Sequence, residues 1–263
     1  GIIMKKTLAL FLLSTTFANA NPIDDQCPQH TIFGAPISSI TENTQYVCHG
    51  NYAIHYRYDT KTAEYVVEHL DATDISGPAK RKDDFRPDPL IPDELEASLA
   101  DYKGSGYDRG HLVPAADNRT DKEQMSESFY LSNMIPQNPN HNRGIWRILE
   151  LGVRNTGLVN DVYAVSGTIY DEGYTVIGNG LGVPTRVWKV VYNVNTNEAI
   201  GFLFPNEKIA VKDLPKYVVT VDAVEEATGL NIFPQLDEAI ESVVKIDVAT
   251  WPSFKLDPDD KDE

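Results

Sequence analysis

The sequence predicts an α+β fold with a mainly antiparallel central sheet and interspersed helices. Segments rich in β-branched and aromatic residues dominate the chain, as half-buried strands require. Helical patterns fall between them irregularly, without the βαβα rhythm of a parallel sheet. With 263 residues, 41% hydrophobic and 24% charged, the chain can bury a substantial core and has an ordinary globular composition.

At the N-terminus, Met4-Lys5-Lys6, the apolar residues 8–13 and Ala18-Asn19-Ala20 together form the pattern of a signal peptide. Residues 1–20 are therefore expected to be removed after Ala20, and the mature protein to be secreted or periplasmic. No segment approaches the roughly 18 apolar residues of a membrane span, so no membrane partner is expected. Export would let Cys27 and Cys48, the two cysteines of the chain, form a disulfide. In the chain-entropy model such a loop closure stabilises by about 3 kcal/mol.

The next signals are strand-like. Residues 52–58 alternate and are aromatic-rich, Asp59-Thr60-Lys61 reads as a turn, and residues 64–70 form the partner strand. Residues 71–92, rich in Pro and Asp, read as loop, and a short helical pattern runs from Pro92 toward Ala100. After the polar Lys103-Gly104-Ser105-Gly106 link, Asp108-Arg109-Gly110-His111 reads as a tight turn with an apolar exit. Residues 121–129 are helical, 136–139 a loop. Residues 144–154 carry Ile145, Ile148 and Leu149 at the spacing of an amphipathic helix. Residues 162–167, 187–192 and 199–204 are strands. Residues 221–228 form a helix with Gly229 as its C′ glycine. Residues 257–263 are an acidic run, expected to be a solvated, disordered tail.

The formal charge is −16, or −18 without Lys5 and Lys6. That charge is unfavourable for a nucleic-acid binder, because phosphate attraction is the main source of affinity. Residues 103–154 nevertheless hold seven Lys or Arg against six Asp or Glu. Any phosphate site must lie there.

In that window His111 is the one histidine of six beside Asp, Arg and Gly. Hydrolysis of a phosphodiester needs a base with a pKa near neutrality to deprotonate water, and His suits that task. Arg109 can hold a phosphate with its planar fork. Asn142 and Glu150 lie about two helical turns apart, roughly 12 Å along an axis, too far for easy direct ligation of one ion by both. Glu150 is thus expected to reach an ion bound at Asn142 through water. Arg154, one turn further on the same face, can brace Glu150 or reach phosphate. A neutral Asn ligand leaves the charge of Mg²⁺ nearly undiminished for phosphate.

Several blocks carry a family resemblance, in order along the chain. They are Asp101-Tyr102-Lys103-Gly104-Ser105-Gly106, then Tyr107-Asp108-Arg109-Gly110-His111-Leu112-Val113-Pro114. Phe129-Tyr130-Leu131-Ser132-Asn133-Met134-Ile135-Pro136-Gln137 follows, with Asn142, Trp146 and Leu149-Glu150 behind it. The last block is Val183-Pro184-Thr185-Arg186-Val187-Trp188-Lys189-Val190. Over residues 52–236 the sequence resembles the DNA/RNA non-specific endonucleases, the ββα-metal nucleases of the Asp-Arg-Gly-His motif, and their endonuclease G branch in particular.

The resemblance implies one nuclease domain over residues 21–256 that hydrolyses DNA and RNA to 5′-phosphate ends. It makes His111 the general base and Asn142 the protein ligand of Mg²⁺, for which Mn²⁺ can substitute. Glu150 would act on the ion through water, Arg109 and Arg154 would bind phosphate, and Asn133 would support the site by hydrogen bonding. Asp108 would fix its turn. The alternative is a nuclease-like binding or interaction protein with impaired catalysis, against which intact His111, Asn142 and Glu150 argue. A homodimer is compatible with the sequence, which leaves the oligomeric state open.

Two departures from the family stand out. His141 replaces an apolar residue before Asn142 and is expected to face solvent, and the chain is more acidic than usual. His30, His49, His55 and His69 lack zinc-like spacing and are expected to be structural or surface residues.

Overall fold

The computed structural model describes residues 21–242. The signal-peptide and acidic-tail expectations fall on residues 1–20 and 257–263, which lie outside the described residues. Among the described residues no helix is long and apolar enough to cross a membrane.

Eleven strands are described: β1 (Thr44–Cys48), β2 (Ala53–Arg57), β3 (Thr62–Leu70), β4 (Asp108–His111), β5 (Met134–Gln137), β6 (Val162–Ile169), β7 (Val176–Ile177), β8 (Leu181–Gly182), β9 (Arg186–Asn193), β10 (Glu198–Pro205) and β11 (Val218–Val219). Seven form the central sheet, in the order β1-β2-β3-β6-β9-β10-β11. Every neighbouring pair in it is antiparallel. The α+β expectation therefore holds.

Both faces of this sheet are covered, which explains its apolar strands. Along β9, Val187 and Val191 join one core with Val66, Leu70, Ala164, Ile148, Leu149 and Val153. Trp188, Val190 and Tyr192 alternate onto the opposite face and pack with Ile23, Tyr65, Val224 and Phe233. The first core is closed by the helix Arg147–Gly157 and the second by the helix Val221–Thr228. Gly229 ends the latter at φ +75°, a left-handed conformation that costs glycine little. Cys27 and Cys48 are bridged, pinning the N-terminal segment to β1.

Local reading failed in three places outside the site. Residues 72–76, expected as loop, form a helical turn. Asp71 accepts from the backbone N–H of Thr73 and Asp74, and Asp74 accepts in return from the Asp71 N–H. The expected helix over 92–100 splits into a 3₁₀ turn at Asp93–Leu95 and a helix at Leu99–Tyr102. Strands β1, β7, β8 and β11 were not foreseen, being short or weakly patterned.

The histidines outside the motif are mostly structural. His49 pairs with Asp88 (2.8 Å) and His55 with Glu64 (2.7 Å), all four side chains buried. His30 is also buried, and burial lowers its pKa to about 4, against the raising effect of the His49 carbonyl. Its folded value lies below the unfolded value near 6.5, so the unfolded chain takes up the proton first on acidification. Stability contributed by neutral His30 is full above about pH 6.5 and lost as pH falls toward 4, at up to about 1.4 kcal/mol per unit. His30→Gln is expected to lose less stability than the parent between pH 6.5 and 4.5. Urea denaturation at both pH values measures this, and an equal loss would remove His30 from the explanation.

Candidate active site

The Asp-Arg-Gly-His segment is a strand, not the expected turn. It forms β4 and pairs with β5 in an antiparallel hairpin packed beside the main sheet. Residues 136 and 137, expected in a loop, belong to β5. The register sets Arg109 opposite Pro136 and His111 opposite Met134. Gly110 is required by close approach, since a Cβ there would lie 2.0 Å from Gln137 Oε1 and 2.8 Å from Gln137 Cβ.

Asn133 holds the exit of β4. Its Oδ1 accepts from the Val113 N–H (3.0 Å), and its Nδ2 donates to the carbonyls of Val113 and Ser128 (both 2.9 Å). The Leu112 N–H donates to the Asn133 carbonyl (3.1 Å). A buried amide with every group paired fixes the backbone just beyond His111.

The helical run that follows β5 differs from the regular helix the spacing suggests. Pro139–His141 is one turn, Asn142–Trp146 is a π turn with Gly144 at φ −109°, ψ −110°, and Arg147–Gly157 is α-helical. A π turn inserts an extra residue and re-aims the side chains around it, which is common at functional sites. Asn142 and Glu150 consequently line one cavity of about 230 Å³ together with His111.

His141 does not face solvent as expected. It is fully buried, accepts through Nδ1 from Gln137 Nε2 (2.9 Å), and packs against Trp146 and Phe204.

The arrangement around the cavity is strongly cationic. Arg109 and Arg154 line it together with Arg81, Arg143 and Arg147. Arg81 came from a loop where sequence offered no signal beyond a cation, whereas Arg143 and Arg147 sit in the charge-enriched window. Arg154 is anchored from below by buried Asp117 through its Nε. The guanidinium of Arg109 stacks on Phe85, 4.2 Å from the ring centroid. The His111 ring meets Phe129 edge-on at 5.0 Å, and its carbonyl accepts from Trp146 Nε1 (3.1 Å).

Asp108 shares its carboxylate between Arg143 (2.6 and 2.8 Å) and Asn142 Nδ2 (2.9 Å). Burial opposes its charge, but these hydrogen bonds prevail and hold its pKa below the ordinary value. Because the amide N–H₂ of Asn142 is committed to Asp108, its oxygen is the atom left for a cation. Burial raises Glu150 to about 7, moderated by Lys189 and Arg154. Burial, then Arg81 and Arg109, lowers His111 to about 3, so the ring is neutral at physiological pH.

Comparison with known proteins identifies the family. The model of the DNA/RNA non-specific endonuclease family matches residues 30–239. The mitochondrial nuclease EXOG of Xenopus laevis is 40% identical, the match covering 78% of this chain and 62% of that protein. The chain spans about 62–66% of the length of the EXOG relatives it matches. Nuclease C1 of Cunninghamella echinulata is 35% identical over 71% of this chain and 82% of its own. A solved EndoG/EndoGI complex superposes with a TM-score of 0.73 at 27% identity, covering 85% of this chain and 96% of that one. The expectation of a secreted or periplasmic protein is overturned here, because the EXOG relatives, the endonuclease G of Caenorhabditis elegans and nuclease 1 of Schizosaccharomyces pombe are all named as mitochondrial. With a family match over most of its length, a hairpin and helix that bring the motif residues to one cavity, and the fold of endonuclease G, the chain belongs to the DNA/RNA non-specific endonuclease family.

Proposed function

We propose that the protein is a divalent-metal-dependent endonuclease that cleaves DNA and RNA within residues 21–256, leaving 5′-phosphate ends. The observation that carries this reading is the shared cavity of His111, Asn142 and Glu150 beneath a ring of arginines. One neutral amide oxygen and one carboxylate are a sparse oxygen set, which fits Mg²⁺, an ion that keeps most of its water. Asn142 and Glu150 would hold it, Glu150 through water, and Mn²⁺ would substitute. When bound, the ion supplies Lewis-acid stabilisation of the charge that develops on the phosphate.

The chain's own groups do the rest. Arg109 and Arg154 hold the scissile phosphate, with Arg81 beside them. Neutral His111 removes the proton from the attacking water. Attack at phosphorus breaks the bond to the 3′ oxygen, which takes up a proton from water, and leaves the phosphate on the 5′ side. The phosphate enters among Arg81 and Arg109, which are two of the three causes of His111's low pKa. Its negative charge offsets their part of the lowering, the larger part coming from burial.

Supercoiled plasmid and single-stranded RNA, each incubated with Mg²⁺ and with excess EDTA, test the reading. Cleavage of both with Mg²⁺, restored by Mn²⁺ and abolished by chelation, is the expected result, with products that ligase joins without kinase treatment. Full cleavage in EDTA, or ends that need phosphorylation before ligation, would contradict it.

A further inference from the structure

Lys189 stands in the middle of β9, between Val187 and Val191 on the face of the sheet that packs under the candidate site. Its side chain is 1% exposed. A buried ammonium is costly unless paired, and an apolar side chain would fill the same space in this core with less penalty. The contacts of Lys189 say what it does instead.

Its Nζ lies 3.5 Å from Glu68 Oε1, another 1% exposed side chain, on β3. It donates to the Leu112 carbonyl (3.4 Å), and it sits 5.6 Å from the centre of the Trp146 ring. Leu112 directly follows His111, whose own carbonyl accepts from Trp146 Nε1. Two consecutive carbonyls at the end of β4 are thus held by two side chains that touch each other. Trp146 also stands four residues before Glu150, so the two lie on one face of the same helical run. From the rigid centre of the sheet, Lys189 meets the His111 strand directly and the Glu150 helix through Trp146.

We propose that Lys189, set between Glu68, the Leu112 carbonyl and Trp146, is a positioning residue that fixes His111 and Glu150 relative to each other for phosphodiester cleavage. The inference rests on the nuclease reading above. Misplacement of reacting groups by about 1 Å can cost about 100-fold in rate without weakening substrate binding in proportion. Lys189 should therefore govern kcat and leave KM nearly alone.

The test compares steady-state cleavage of a double-stranded oligonucleotide in saturating Mg²⁺ by the full chain and by Lys189→Met/Glu68→Gln, which removes both buried ionisable groups together. A kcat lowered by about tenfold or more is expected, with KM within about threefold and a thermal midpoint equal to or above the parent. Lys189→Arg retains the charge but sets a larger, planar group against Leu112, and a similar fall in kcat with the fold intact is expected of it. A kcat within about twofold of the parent in either folded variant would overturn the proposal. So would a change confined to KM. Failure of both variants to fold would assign Lys189 to the core alone and overturn it too. If the parent chain itself shows no metal-dependent cleavage, the nuclease reading is what has failed, and the comparison separates the two cases.

Discussion

Trp146→Ala is expected to lower stability by about 3–5 kcal/mol, the range for emptying a fully buried aromatic site. Trp146 is wholly buried, in the core between the sheet and the helical run. It meets His141 at 5.9 Å, Phe204 at 6.4 Å and the Lys189 ammonium at 5.6 Å. Truncation also removes the donor to the His111 carbonyl. Trp146→Phe separates the two losses, since it keeps most of the apolar fill and removes the N–H. A deficit of about 1–2 kcal/mol is expected of it, for one buried hydrogen bond and a smaller ring. Urea denaturation gives both values, provided the slope with denaturant is unchanged. A loss below about 1 kcal/mol for Trp146→Ala would show that the site does not rest on this residue.

The same residues show what could be read from sequence. Strands β3, β6, β9 and β10 were legible because Val, Ile, Tyr and Phe leave them little alternative, and Gly229 marked a helix end correctly. The hairpin β4–β5 was not. Asp-Arg-Gly-His has poor strand propensity and Pro136 cannot donate to a ladder, so local pattern argues for a turn. Pairing across the hairpin and the buried clamp of Asn133 override that preference, and both come from residues twenty or more positions away.

The helix around Asn142 shows a similar limit. Ile145, Ile148 and Leu149 keep 3/4 spacing whether or not a π turn precedes them, so periodicity alone could not show how Asn142 and Glu150 come to share a cavity. His141 looked like a surface residue because its core partners include Phe204, a strand away. Lys189 did leave a signal: it is a lone charge in an uninterrupted apolar run, and such a residue is rarely buried unless it is paired. The motif residues themselves were legible as chemistry, and the resemblance supplied their roles, whereas Arg81 was hidden in a loop whose charges resemble any solvated surface.

His111 carries the central claim. As the group that takes the proton from water, it should contribute about 10²–10⁴-fold, the usual share of a general base. Its carbonyl stays bonded to Trp146 and its backbone stays paired to Met134 when the ring is removed, so the hairpin should survive the substitution. Some packing against Phe129 is lost, and a stability cost of about 1–2 kcal/mol is expected. His141 is no control, being buried under the same core. His69 is, because it is partly exposed and paired with Asp161 at the far end of β3. The direct measurement is the rate of plasmid cleavage by the parent, His111→Ala and His69→Ala at fixed Mg²⁺ and low salt. A fall of at least about 100-fold in His111→Ala, with His69→Ala within about threefold of the parent, is the predicted result. A folded His111→Ala that cuts as fast as the parent would contradict the assignment of His111 as the base.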